Sequence, residues 1–572
     1  MEEKEKKVSK VPFVAAWVVI VALQLAFIVF FFANYKTSYH EDEFFSYSLS
    51  NSYYRPFIYG SEHQVSDNYN VWMKGSEFKY YIETNDDTRF KYDSVWYNQT
   101  SDVHPPLYYA VLHTISSFFP NQFSWWWGFS INLFCFVISQ IFLFKISSTL
   151  SKSDFGGLLA CCFWGFSLAC QNTQHFVRMY SMLTMFTLMF IYFSMKQFRS
   201  AELDIKKVII PLGLISFGGA MTQHFFLVFA FFYTLFQCVM LFVRKRFKDF
   251  FVYGGTVLVG VVLSIAAFPA TINHLFSADA QEWYSEIDFW QTFHFLLRVT
   301  LVEVFGRDIG IWQSSIMSYI LVGVVFVGVP VAGVLWLFRT NPKIKSFFKN
   351  LLGEIKATVF EYDLTGIFTI LAIAAYYFTL SSKIAFFDIL NNIDRYVFPQ
   401  CALISVLVIA VSFLIIRFVA KLIKFKYVKH ILGVVVTGLI GFSLVYQNVK
   451  YDDFRQYCYS DKNSNGKIQQ ILTDKDCLVT VSNSIFLPIF SEMLMNADDI
   501  YITLPGGEEN YHTKKDEIAK FTNEDEFYLL IFNVLDQDML IDFVADTTGY
   551  SHEEATTEII HGAKARLLRF YK

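Results

Sequence analysis

The sequence predicts an all-α polytopic membrane domain of about eleven transmembrane helices, followed by a small C-terminal extracytoplasmic α/β domain. Three observations carry this. Hydrophobic residues make up 54% of the 572, including 65 Phe and 33 Tyr. Only 17% are charged, against roughly 25% in a soluble globular domain. Apolar runs recur from residue 12 to residue 447, after which the chain turns acidic and less apolar.

The first eleven residues hold Lys4, Lys6, Lys7 and Lys10 and read as a cytosolic tail. The apolar stretch Val11 to Phe32 is too long for a signal-peptide core and lacks a small-residue cleavage site, which predicts an uncleaved first span. The expected spans are 12–34, 126–146, 155–172, 180–196, 207–223, 225–243, 250–271, 312–338, 364–381, 397–418 and 430–447. The run 105–119 is too short for a hydrocarbon core of about 30 Å. It opens with two prolines, which suit a helix start, and is expected to lie in or dip into the interface, inside an outer loop 1 at 35–125.

Basic residues set the sidedness. Connections expected in the cytosol carry Lys145 and Lys152; Lys196, Arg199, Lys206 and Lys207; Arg244, Lys245, Arg246 and Lys248; Arg339, Lys343, Lys345 and Lys349; and Arg417, Lys421, Lys424, Lys426 and Lys429. The connections 171–179, 223–225 and 382–396 carry one, none and two basic residues. That asymmetry follows the positive-inside rule. It places outer loop 1, the loop 272–311 and the domain 448–572 together on the non-cytosolic face, with the N-terminus in the cytosol.

The C-terminal domain alternates strand and helix patterns: strands at 477–482, 500–504, 527–532 and 564–571, helices at 484–495 and 536–545, and a turn at Leu504-Pro505-Gly506-Gly507-Glu508-Glu509-Asn510. It holds no glycine-rich phosphate loop, and the chain holds no internal repeat. Six of the eight cysteines lie in apolar segments as small buried hydrophobes. Cys458 and Cys477 lie in the polar region, where an oxidising space would permit a disulfide. The formal net charge of −4 and the scattered basic clusters give no continuous basic face for nucleic acid.

The residues suited to chemistry gather on the outer face. His40-Glu41-Asp42-Glu43 follows the first span at once. Three adjacent carboxylates beside lipid are costly to keep ionised unless water, cations or a substrate meet them. The run Ser46-Tyr47-Ser48-Leu49-Ser50-Asn51 predicts a short amphipathic helix laid on the membrane that presents the acids to a cleft. Partial burial of such a carboxylate suits a general base. His104-Pro105-Pro106-Leu107-Tyr108-Tyr109 lies in the same outer loop. Arg178 and Tyr180 open the fourth span from outside. An interfacial anchor would account for both, but basic anchors favour the cytosolic side, and an outer Arg can bind a lipid phosphate bidentately. His224, in Thr222-Gln223-His224-Phe225, and Arg395-Tyr396 sit at other outer span ends. Each could be a satisfied structural group by itself. Trp125-Trp126-Trp127 reads as an interfacial aromatic belt.

In this ordered set the chain resembles the GT-C superfamily of membrane glycosyltransferases, on the branch of protein O-mannosyltransferases and the lipid A aminoarabinose transferase. The resemblance rests on Asp42-Glu43, the His104 to Tyr109 motif, Arg178-Met179-Tyr180, Thr222 to Phe225 and Arg395-Tyr396, and runs from about residue 12 to residue 447. It implies transfer of a sugar from a polyprenyl-phosphate or dolichyl-phosphate carrier to a lipid, glycan or protein acceptor on the non-cytosolic face. It implies Asp42 as general base with Glu43 beside it, inversion at the sugar carbon, and donor phosphate and sugar contacts from His104, Arg178, Tyr180, His224, Arg395 and Tyr396. Some relatives carry Lys where this chain has His104, which makes that contact weaker and pH-dependent. The C-terminal domain is outside what the resemblance interprets.

No metal is required by this chemistry, although His40 to Glu43 offers hard oxygen ligands of the kind Mg²⁺ takes with phosphates. A polytopic transporter or flippase for a lipid-linked glycan is the alternative. Transporters place ionisable groups at the bilayer midplane and show related halves; here the span interiors are nearly free of charge and polar residues gather at one face. A non-catalytic anchor would leave the outer Arg and His residues unexplained. A prokaryotic plasma membrane is the expected location.

Overall fold

The computed structural model describes residues 11–58, 70–200, 202–276, 289–307, 364–382, 393–422, 442, 445–452, 457–458, 466–503, 514–560 and 563–572. The expected span 312–338, most of 430–447 and the turn at 504–510 lie outside them. In chain order the first elements are α1 (Val11–Tyr35), α2 (Glu41–Asn51), β1 (Val71–Lys74), α3 (Gly75–Ile82), α4 (Tyr92–Thr100), α5 (Leu107–Ser117) and α6 (Trp125–Ser151). Next come α7 (Asp154–Gly165), α8 (Leu168–His175), α9 (Tyr180–Arg199), α10 (Ile210–Ala220), α11 (Phe225–Val243) and α12 (Phe247–Ala267). The chain divides into two compact units.

The first unit comprises Met1–Ile28, Leu133–Gln174 and Met179–Phe454 and is helical throughout its described part. Across the described residues of the whole chain, Phe13–Tyr35, Trp125–Ser151, Phe225–Val243, Phe247–Ala267 and Asp394–Phe413 are long and apolar enough to cross a membrane. The expected span 155–172 is instead two helices. Ser167 breaks it: its hydroxyl donates to Trp164 O at 2.6 Å and accepts the Cys170 N–H at 3.3 Å, so one residue closes α7 and caps α8. A further helix, Phe289–Phe305, occupies part of the loop 272–311. Amides join the spans inside this unit. Gln24 Nε2 donates to Cys161 O at 2.9 Å, and Gln140 Nε2 donates to Gln24 Oε1 at 3.0 Å. Such interhelical bonds contribute on the order of 0.6 kcal/mol each in a bilayer.

The second unit comprises Val29–Asn132, His175–Arg178 and Arg455–Lys572. Its six-stranded sheet has the order β1-β3-β2-β4-β6-β5, with β2 at Cys477–Val481, β3 at Asp499–Thr503, β4 at Glu526–Phe532, β5 at Ser551–Ile560 and β6 at Ala563–Tyr571. β2 runs parallel to β3 and β4, while β6 runs antiparallel to β4 and β5. The fully buried residues of β2 explain its unbroken apolar reading. The core on this sheet includes Leu478, Phe527, Leu529, Leu540, Val544, Leu568 and Phe570.

Two strands were not expected. β5 is polar because its first residues are exposed at the sheet edge. β1 comes from outer loop 1 and pairs antiparallel with β3, Val71 opposite Ile502 and Lys74 opposite Asp499. Trp72 on this strand packs against the C-terminal core and donates from Nε1 to Glu517 Oε2 at 2.6 Å. The domain read as 448–572 therefore includes a strand from the outer loop.

The helix expected after the acids forms as α2, but it is enclosed rather than laid on a surface: Glu43, Phe44 and every residue from Ser46 to Asn51 are buried. Its hydroxyls and amide meet protein partners. Tyr47 Oη donates to Ser124 O at 2.8 Å, and Asn51 Nδ2 donates to Ile82 O at 2.8 Å. The short helix α5 has eleven residues, about 16 Å of rise, too little to cross a bilayer. Cys458 and Cys477 are both buried and are not joined in a disulfide, and Cys458 Sγ lies 3.7 Å from His175 Nδ1.

Candidate active site

The site in the second unit is built at the first turn of α2. His40 caps this helix: its Nδ1 accepts the Asp42 N–H at 3.2 Å, and Glu43 Oε2 accepts the His40 N–H at 2.8 Å. Each side chain thus satisfies a backbone donor that the helix start would leave bare. Glu41, Asp42 and Glu43 fill the first turn, where the helix dipole favours negative charge.

The two neighbouring acids have different surroundings. Glu43 is fully buried in an ion pair with Lys36, whose Nζ lies 2.7 Å from Oε1 and 2.8 Å from Oε2. Oε1 also accepts the Val177 N–H at 2.7 Å. Lys36 sends a third bond, of 2.9 Å, to Tyr457 O. Burial pushes the Glu43 carboxyl up and the Lys36 ammonium down, and their mutual attraction opposes both shifts. With four hydrogen bonds from three donor groups on its two oxygens, Glu43 is engaged in holding the protein together. Asp42 keeps 20% of its side-chain surface exposed, and its Oδ1 lies 3.4 Å from Arg178 Nη2.

Arg178 is 3% exposed. Its Nη1 donates to Tyr109 Oη at 2.9 Å, and the guanidinium carbon lies 5.9 Å from the centre of that ring. Tyr109 Oη in turn donates to Asp102 Oδ2 at 3.5 Å, and the same Oδ2 lies 2.8 Å from His104 Nδ1. Burial would raise the Asp102 carboxyl; the His104 charge and hydrogen bond, with the Arg178 charge, outweigh it and hold the group down at about 2. The structure thus joins Asp42, Arg178 and His104, three residues singled out from the sequence, through Tyr109 and Asp102.

Tyr180, Arg395, Tyr396 and His224 belong to the first unit. There the Tyr180 and Tyr396 rings stand 6.4 Å apart, Phe225 stands 5.1 Å from Tyr396, and Arg395 Nη2 donates to Tyr396 Oη at 3.3 Å. His224 is paired separately, its Nε2 3.4 Å from His274 Nδ1. Among the described residues no three His, Cys, Asp or Glu side chains come together as metal ligands.

Sequence reasoning passed over Lys36 and Asp102. Lys36 looks like a charge flanking a span, and Asp102 like a loop acid. The one signal available was spacing: Asp102 stands two residues before His104, within reach of its imidazole.

No family model matches the chain, and no curated protein matches it. Among solved structures it is similar to ArnT from Cupriavidus metallidurans bound to undecaprenyl phosphate, with a TM-score of 0.49 and 12% identity over 98% of this chain and 97% of that one. It is also similar to the same protein in the apo state, with a TM-score of 0.47 and 11% identity over 97% of this chain and 98% of that one.

Proposed function

We propose that this chain is an integral membrane glycosyltransferase. It moves a sugar from a polyprenyl-phosphate carrier, or a dolichyl-phosphate one, to a hydroxyl of a lipid, glycan or protein on the non-cytosolic face of a prokaryotic plasma membrane. The observation that carries this reading is the division of labour between adjacent acids. Glu43 is sequestered by Lys36 and two backbone donors, while Asp42 retains solvent exposure beside the buried Arg178.

In this mechanism Asp42 accepts the proton of the attacking hydroxyl as its oxygen bonds to the anomeric carbon. The bond from that carbon to the phosphate oxygen breaks, and the lipid phosphate departs with the electron pair. A single displacement with one base inverts the carbon. General-base catalysis contributes typically 10²- to 10⁴-fold. Arg178 and His104 face the charge that develops on the leaving phosphate, where preorganised cations in a dry site contribute a few kcal/mol each. Arg395, Tyr396, Tyr180 and His224 are assigned to donor binding as well. No step here needs a metal ion, and a divalent cation accompanying the phosphate is compatible with it.

The test is a transfer assay using radiolabelled polyprenyl-phosphate sugars and total membrane acceptors. Asp42→Asn is expected to abolish transfer while leaving membrane insertion and size-exclusion behaviour intact. Full activity in that variant would remove the proposed base. Arg178→Ala is expected to weaken donor more than acceptor, and equal weakening of both would argue against a phosphate contact.

A further inference from the structure

We infer that the C-terminal domain is a working part of this site and that Glu492 is its positioning residue: by accepting the indole N–H of Trp125, Glu492 sets the aromatic packing that holds the start of α2, and with it Asp42, in place. This role rests on the glycosyltransferase reading above and gives the C-terminal domain a task within it.

The residues that lead into α2 are met from the C-terminal part of the chain at three points. Lys36 Nζ donates to Tyr457 O at 2.9 Å, and the Thr37 N–H donates to Cys458 O at 3.2 Å. The third point is Tyr39, which precedes the His40 cap and is reached through Trp125. The Tyr39 ring lies flat against the Trp125 indole, with centres 3.5 Å apart and planes within 8°. The same indole meets Phe44 edge-on at 4.9 Å and Tyr47 at 5.0 Å. Both of these belong to the first two turns of α2. One ring thus touches a residue before Asp42 and two residues after it.

Trp125 is 7% exposed, and a buried indole N–H needs an acceptor. Glu492 supplies it, with Oε2 3.1 Å from Trp125 Nε1. Stacking alone leaves one ring free to slide over another; a directional bond at the ring edge fixes it. Glu492 reaches Trp125 from a braced frame. Its short helix, Ser491–Leu494, ends against α3 of outer loop 1. There the Gly75 N–H donates to Asp498 O at 3.1 Å, and a methyl group on Gly75 would collide with Ala497 O and Leu494 O. The turn Ser484–Phe490, just before that helix, packs on α2 itself.

The test uses the full-length protein in nanodiscs and begins with hydrogen–deuterium exchange, which needs no substrate. In Glu492→Leu, exchange in the peptide covering Tyr39–Tyr47 is expected to quicken about tenfold, while β2, β4 and β6 keep wild-type protection. Glu492→Gln keeps an acceptor of the same shape and is expected to exchange like wild type. Turnover is then followed with radiolabelled polyprenyl-phosphate sugars and total membrane acceptors. Glu492→Leu is expected to lower kcat about tenfold with donor KM unchanged, the signature of a misaligned base. Glu492→Gln should restore most of that loss. Because Glu492 acts through the indole, Trp125→Phe combined with Glu492→Leu should turn over as fast as Trp125→Phe alone.

Wild-type exchange across Tyr39–Tyr47 in Glu492→Leu overturns the inference, and so does wild-type kcat. Quickened exchange spread evenly over the C-terminal sheet overturns it as well, being the mark of a residue that stabilises only its own domain. Additive losses in the double variant, or a Glu492→Gln that behaves like Glu492→Leu, also overturn it. Should Glu492→Leu fail to fold, Trp125→Phe takes its place, since it deletes the donated N–H and keeps an aromatic face. Quickened exchange confined to Tyr39–Tyr47 then supports the inference, and wild-type exchange overturns it. A wild type that transfers sugar from none of these donors would count against the glycosyltransferase reading instead, and the exchange result is independent of it.

Discussion

Glu43 Oε1 accepts the backbone N–H of Val177 at 2.7 Å and thereby fixes the residue before Arg178 to the residue after Asp42. Ser46 Oγ donates to Val177 O at 3.0 Å, so α2 grips both backbone polar groups of one residue. The approach of Asp42 to Arg178 is therefore set by backbone as well as by the two side chains. A long arginine would otherwise sample many rotamers.

Removing Glu43 should damage both stability and chemistry. Glu43→Ala leaves Lys36 buried without its counter-ion, which typically costs 3–5 kcal/mol. It also removes the acceptor of the Val177 N–H. Thermal unfolding should show the loss. Replacing both members, Lys36→Met with Glu43→Leu, should recover much of that stability, because no lone charge remains. Transfer activity should stay low in the double variant, since the Val177 N–H is no longer held. Wild-type turnover in it would show that this backbone grip is dispensable.

Gly128→Ala should disturb the site from behind. A methyl group there would collide with Val177 Cγ1 and lie 3.1 Å from Tyr47 Oη. Overpacking of this kind costs about 1–3 kcal/mol. The displaced residue is Val177, so turnover should fall more than stability suggests. Comparison of kcat with the unfolding midpoint checks this, and a variant with normal kcat contradicts it.

Glu83 should make stability depend on pH in the opposite sense to a salt-bridged acid. It is 3% exposed, and its Oε2 has no hydrogen-bond partner among the described residues. Burial raises its carboxyl from 4.5 to about 6. The folded state thus holds this proton more tightly than the unfolded chain does. Its contribution is present below about pH 4.5 and is lost as pH rises through about 6, a difference of about 2 kcal/mol. Glu83→Gln should therefore be neutral at pH 4 and stabilising at pH 7.5, measured as the shift in unfolding midpoint. Equal effects at both pH values would contradict the assignment.

The sequence made the apolar helices legible because length and composition decide them, whatever surrounds them. The acid pair, His104 and Arg178 were legible because charge beside a span demands an explanation. The break at Ser167 was hidden, since the apolar run continues across it and only side-chain capping ends the helix. β1 was hidden for a different reason. Val71–Lys74 is four residues long and is a strand because β3 lies beside it. Asp102 has only its spacing to His104 as a local mark; its link to Tyr109 comes once the loop is folded.

That borrowed strand bears on biosynthesis. Val71 emerges from the ribosome long before Ile502, its partner. Until the intervening chain has been made and inserted, Val71–Lys74 waits as an unpaired ribbon outside the membrane, and β3 lacks its outer neighbour. Pairings so distant in sequence are slow to form. Expression of the C-terminal region by itself should yield a sheet with an open, aggregation-prone flank, so the two ends of this polypeptide mature as a single late event.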